Sequence, residues 1–205
     1  MTDHESTTGD NGDMAHVAAG GAARRSHVST LLFGTILFLA SELLFFGALF
    51  AAYFNLRADT TPWPPEGIEL ELVPATIGTL LLVVSSFTFQ AGVAAGGRSR
   101  LRAMKGWTIA TVVLGSAFLG IQLFDWLHLD FGVSSHAYGT MFYSMTGFHG
   151  LHVLAGVLLM LVVLWRAVQG AYRDGNVEGA EAIAYYWHFV DVVWIALFAT
   201  IFLLR

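Results

Sequence analysis

The sequence predicts an all-α fold: a polytopic membrane helix bundle of five transmembrane helices, with its N-terminus in the cytoplasm and its C-terminus outside. Composition is the first of three observations behind this. Of 205 residues, 56% are hydrophobic and only 12% charged, at a mean hydropathy of +0.63, whereas a soluble domain carries about a quarter charged residues. Charge placement is the second. No Asp, Glu, Lys or Arg falls from Val73 to Gly97, from Gly106 to Phe124 or from Phe131 to Trp165, and of these four types Glu42 alone interrupts the stretch between Ser26 and Arg57. Such runs match the ~20 apolar residues that cross a bilayer as a helix. Sidedness is the third. An inside N-terminus places Arg24, Arg25, Arg98, Arg100, Arg102, Lys105, Arg166 and Arg173 in the cytoplasm and only Arg57 and Arg205 outside, the bias that the positive-inside rule favours.

In chain order, residues 1–27 open with "MTDHESTTGDNGDMAHVAAGGAARR", which is polar and Gly-rich; a disordered cytoplasmic tail is expected, ahead of a membrane domain over 28–205. A signal peptide would need a basic start followed by an apolar stretch, so the first span is expected to stay in the membrane. The spans are expected near 30–54, 75–95, 107–126, 139–165 and 185–204. Between the first two lies "DTTPWPPEGIELELVP", with all four prolines of the chain, Pro62, Pro64, Pro65 and Pro74. Proline fixes φ and removes a donor, so a shaped external loop is expected there. Trp107, Trp126, Trp165 and Trp187 fall at expected span ends, where amphipathic rings anchor to headgroups. Gly92 with Gly96 and Ser116 with Gly120 repeat a small-xxx-small spacing that lets helices approach closely.

The absence of cysteine removes disulfides, iron–sulfur clusters, CxxCH haem attachment and thiolate metal centres. No Lys/Arg patch interleaved with aromatics points to nucleic acid. What remains is a set of polar residues inside the spans: Glu42 in "LASELLFFG", Gln122 and Asp125 in "LGIQLFDWL", His149 and His152 in "TGFHGLHVLAG", and His188 and Asp191 in "YYWHFVDVVW". An ionisable residue within a membrane span is a functional hypothesis by default. Spacings of three place each pair on one helix face, so the bundle interior could collect them as one polar network. As metal ligands they are weak: two histidines at i and i+3 fall short of the several carboxylates that di-iron bundles use. Hydrogen bonding between helices ranks above metal or haem binding, and no catalytic and no metal-ligating residue is assigned. Glu42, about midway through its span, must carry a proton or find a partner. Asp125, near the outer end of its span, reads as a solvated structural residue. A proton-coupled transporter using Glu42 and Asp191 would show repeats or Pro-broken helices; the sequence has no internal repeat and no proline within an expected span.

Four motifs, "SELLFF", "WPPEGIELELVP", "YGTMFYSMTGFHGLHVLAG" and "AYYWHFVDVVWIALF", in this order, resemble subunit III of haem–copper cytochrome c oxidases. The resemblance covers about 30–205. That family is all-helical, often with seven spans, and this chain matches the last five, as short bacterial forms do. The resemblance implies a non-catalytic subunit of an aerobic terminal oxidase in the bacterial plasma membrane, with haem and copper in partner subunits and no cofactor of its own. It implies subunit I as the main contact, subunit II in the same complex, bound phospholipid, help with oxygen access and sustained proton uptake, and room for a larger respiratory supercomplex. Residue by residue, Glu42 matches the carbodiimide-reactive buried carboxylate of the family's "SE" motif, His149 and His152 its "HGLH", and His188 and Asp191 its "WHFVD". Asp125 stands where the family commonly has glutamate. Trp187 and Tyr186, beside that last motif, are expected to contact lipid or a neighbouring subunit. A subunit III of a quinol oxidase, or of a nitric-oxide-reductase-associated relative, is the alternative that the same motifs allow.

Overall fold

A computed structural model describes residues 29–204 apart from Glu69; the expected tail over 1–27 lies outside the described residues. The described chain forms five helices: α1 (Thr30–Asp59), α2 (Leu72–Gly97), α3 (Leu101–His128), α4 (Ala137–Val168) and α5 (Glu178–Phe198). A π turn, Ala199–Leu203, continues α5. All five helices are long and apolar enough to cross a membrane, and no strand occurs among the described residues.

The helices overrun the expected spans at nearly every end, most at α5, which begins at Glu178 rather than near 185. Charged residues end an apolar run without ending a helix. Glu178 and Glu181 in the first turn of α5 even favour it, since carboxylates complement the positive end of the helix dipole. Elsewhere local chemistry sets the boundaries. Pro74 lies in the first turn of α2, where the missing N–H has no intrahelical role. His136 caps α4, its Nδ1 accepting from the Gly139 N–H at 2.8 Å. Between α2 and α3 the chain reverses through Ser99, at φ 57°, with the Arg100 N–H donating to the Ala95 carbonyl at 2.9 Å.

Small residues set the helix spacing, though not all of those the spacing singled out. At Gly92 an added Cβ would meet Trp107 at 3.2 Å, and at Gly96 the Met104 sulfur at 2.6 Å, so α2 and α3 do close on that pair. Ser116 and Gly120, by contrast, are exposed, and a Cβ at Gly120 would meet nothing. On α3 the close approach falls at Gly115, one residue away, where a Cβ would lie 3.0 Å from both Trp187 and Val157. An i, i+4 pair of small residues states that a flat face exists; it does not state which face meets a neighbour.

The core runs along α2–α5 and centres on Trp187, which is fully buried. Its ring occupies the space left by Gly156, where a Cβ would sit 2.5 Å away, and its indole N–H donates to Ser85 Oγ at 2.9 Å. The expectation that Trp187 and Tyr186 face lipid or another subunit is therefore corrected: both are buried. The early start of α5 puts Trp187 nine residues, ~13 Å, inside the helix instead of at its end, and its face of the helix meets Gly115 and Gly156, whereas Tyr185, two residues earlier, is 51% exposed.

Helix α1 is attached differently. Only Phe46 and Tyr53 are buried along it. Tyr53 OH donates to the Thr200 carbonyl at 3.4 Å and accepts from the Trp63 indole N–H at 3.0 Å. The proline-rich connection, with cis bonds at Thr61–Pro62 and Trp63–Pro64, is thereby tied both to α1 and to the π turn after α5.

Candidate functional site

Rather than one polar network, the described residues form three separate stations, with two polar side chains standing apart. The first joins α1 to α4. His152 Nδ1 donates to the Phe148 carbonyl at 2.6 Å, one turn back on its own helix. That leaves Nε2 facing Glu42 Oε2 at 2.8 Å. With Nδ1–H committed, the contact holds a single proton between nitrogen and carboxylate oxygen, whichever of the two carries it. Phe46 packs edge-on to the imidazole at 5.1 Å and Phe45 stacks at 6.4 Å. Tyr186 OH donates to the His152 carbonyl at 2.9 Å, bringing α5 to the same place. The pair is not sealed: 20% of the Glu42 side chain and 17% of His152 remain exposed.

The second station joins α2 to α5. The Ser86 hydroxyl donates to Asp191 Oδ2. Its oxygen then accepts from His188 Nδ1 at 2.8 Å, and His188 Nε2 lies 3.3 Å from the side-chain amide of Gln90. His188 and Asp191, three residues apart, do share one face, and Ser86 bridges them. The third joins α3 to α4: Gln122 Nε2 donates to the Thr146 carbonyl at 2.6 Å. Gly150 makes room for it, since a Cβ there would lie 3.0 Å from that nitrogen.

Asp125 is half-buried, lines a cavity with Gln122 and Trp126, and forms no hydrogen bond among the described residues. His149 is fully buried, stacked on Trp194 at 4.9 Å and edge-on to Phe118 at 5.8 Å. Neither of its ring nitrogens has a partner among the described residues. His149 and His152 thus go to different neighbours, because residues three apart diverge by ~60° around a helix. On α4 that angle turns His149 toward α3 and His152 toward α1, with α5 reaching both through Trp194 and Tyr186.

Ser85, Ser86 and Gln90 were not singled out from sequence. A serine inside a charge-free run is common, and only the facing helix shows that Ser86 stands between a histidine and an aspartate. Among the described residues, no group of three or more His, Cys, Asp or Glu gathers as a metal-ion site.

Fold and stations together define a class: a multi-pass, all-helical membrane protein whose mid-membrane polar side chains are matched mainly across helix pairs. Comparison with known proteins narrows this. The sequence profile of the family "Cytochrome c oxidase subunit III" matches residues 13–204. Cytochrome c oxidase subunit 3 of Thermostichus vulcanus is 44% identical over 179 residues, 87% of this chain and 89% of that protein. The protein of the same name from Corynebacterium diphtheriae is 39% identical over 201 residues, 95% of this chain and 97% of its own length. A probable cytochrome c oxidase subunit 3 of Nocardia farcinica is 44% identical over 176 residues, 84% and 87% of the two chains. The chain belongs to the cytochrome c oxidase subunit III family.

Proposed function

We propose that this chain is the supporting, non-catalytic subunit III of a cytochrome c oxidase, an oxidoreductase complex whose haem and copper lie in other subunits. It packs beside subunit I, with subunit II in the same complex, in the bacterial plasma membrane with its N-terminus inside. It holds phospholipid and sustains oxygen access and proton uptake for its partner. Family membership over nearly the whole chain carries the reading. The Glu42–His152 station supports the proton-linked part: it is a carboxyl group and an imidazole joined by a 2.8 Å hydrogen bond between α1 and α4, where α1 otherwise buries only Phe46 and Tyr53. An intramembrane ionisable pair is retained against its desolvation cost, which favours a functional role.

Deletion of the chain from an oxidase-expressing strain tests this. The complex should assemble, reduce oxygen at an initial rate close to that of the intact enzyme, and then inactivate after fewer turnovers. If initial rate and turnover lifetime both survive deletion, the supporting role is refuted. If the chain does not co-purify with oxidase subunits, membership of the complex is refuted.

A further inference from the structure

Most hydroxyls on the outward faces of α1 and α2 satisfy themselves. Thr35 donates to the Leu31 carbonyl, Ser41 to Phe38 and Thr76 to Leu72, all within one turn of their own helix. A glutamine amide is too long and too rich in donors to be satisfied that way, and Gln90 is exposed on α2. It lies seven residues before Gly97 in a helix of 26, ~10 Å from that end and ~9 Å from the helix middle, within a ~30 Å hydrocarbon core. His188, ten residues into α5 and only half-buried, lies ~15 Å from its own helix end.

Hydrogen-bond accounting shows what is left over. The one Ser86 proton goes to Asp191, so the His188 Nδ1–H donates to Ser86 Oγ and Nε2 becomes an acceptor. A Gln90 N–H serves that acceptor once the amide takes its flipped assignment, oxygen and nitrogen being interchangeable in position. The Gln90 carbonyl and its second N–H then have no partner among the described residues. Lipid tails cannot supply one, and each unmet polar group in hydrocarbon is costly. Around this polar centre the seam is apolar and outward-facing, with Phe87 72% exposed on α2 and Val192 65% exposed on α5.

We propose that the α2–α5 seam at Ser86, Gln90 and His188 is a docking surface for a membrane helix of another oxidase subunit, one presenting a side chain that both donates and accepts a hydrogen bond. Serine, threonine, asparagine and glutamine have that chemistry. The inference rests on membership of the oxidase complex and names the face through which membership is exercised.

The test uses the whole complex, purified through a tag on a different subunit in mild detergent and then challenged with a harsher one. Gln90→Leu should weaken association of this chain about 3- to 30-fold, the range for an interhelical hydrogen bond in a membrane. A lipid-facing glutamine would behave oppositely, so retention of Gln90→Leu equal to or better than wild type overturns the proposal. Independently, a benzophenone amino acid placed at position 87, exposed beside Gln90 on the same seam, should crosslink to one other oxidase subunit; adducts to lipid alone would overturn it. A wild-type chain missing from the purified complex shows itself before any variant is made and refutes the underlying membership instead.

Discussion

Helices α1 and α5 are similarly apolar yet held in opposite ways. In α5 half of the most apolar stretch is buried, against 6% in α1. Helix α5 is fixed by volume: Trp187 fills the hollow made by Gly156 and Gly115, and Trp194 packs on His149 and Phe118. Helix α1 is fixed by a few directional contacts, Glu42 with His152 at 2.8 Å, Tyr53 with Thr200 at 3.4 Å, and Phe45 edge-on to Phe148 at 5.0 Å. Lipid tails are as apolar as leucine, so hydrophobicity cannot choose between these arrangements; packing and hydrogen bonds must. An outlying helix held by so few contacts leaves most of its surface for lipid or another subunit.

The comparison breaks most readily at its packed end. Trp187→Ala should destabilise the folded chain by about 3 kcal/mol, the low end for a buried tryptophan cut to alanine, because in lipid mainly packing is lost. Unfolding in mixed micelles measures this. A change under ~0.5 kcal/mol, the range of surface substitutions, would show that volume does not hold α5.

At the α1 end the effect should be smaller and more local. Glu42→Ala leaves His152 Nε2 without its partner, a loss of about 1–3 kcal/mol, and should loosen α1 from α4 alone. The chain contains no cysteine, so paired spin labels on cysteines introduced at positions 45 and 148 report that contact cleanly. Their separation should widen in Glu42→Ala and hold in Glu42→Gln, which can still hydrogen-bond. Equal widening in both variants would point to an ionised pair, since only charge distinguishes Gln from Glu there. Smallest of all is Phe33→Ala, on the exposed face of α1, expected within ~0.5 kcal/mol of wild type. A larger loss in the isolated chain would mean that α1 packs more widely than its few contacts indicate.

Much of this protein was legible in its residues. Five spans follow from charge-free runs, because hydrocarbon tolerates few charges and the sequence records every one. The pairing of His188 with Asp191 was visible as a spacing of three, since both ends of that relation lie on one helix. Helix ends were less legible: Glu178 and Glu181 end the apolar run at α5 while suiting a helix N-terminus.

What sequence could not fix is which helix each polar or small residue faces. His149 and His152 looked alike as an HxxH pair, yet one is stacked among aromatic rings and the other meets a carboxylate on α1. Trp187 looked like an interfacial anchor and is the centre of the core. Gly115, outside the repeated small-residue spacing, proved to be the point of close approach on α3. The number, length and composition of the spans are set by transfer of single residues into hydrocarbon, a property that each segment carries by itself. The partners are set by the azimuth at which neighbouring helices meet, and a ~60° difference between residues three apart becomes decisive only when those neighbours are in place.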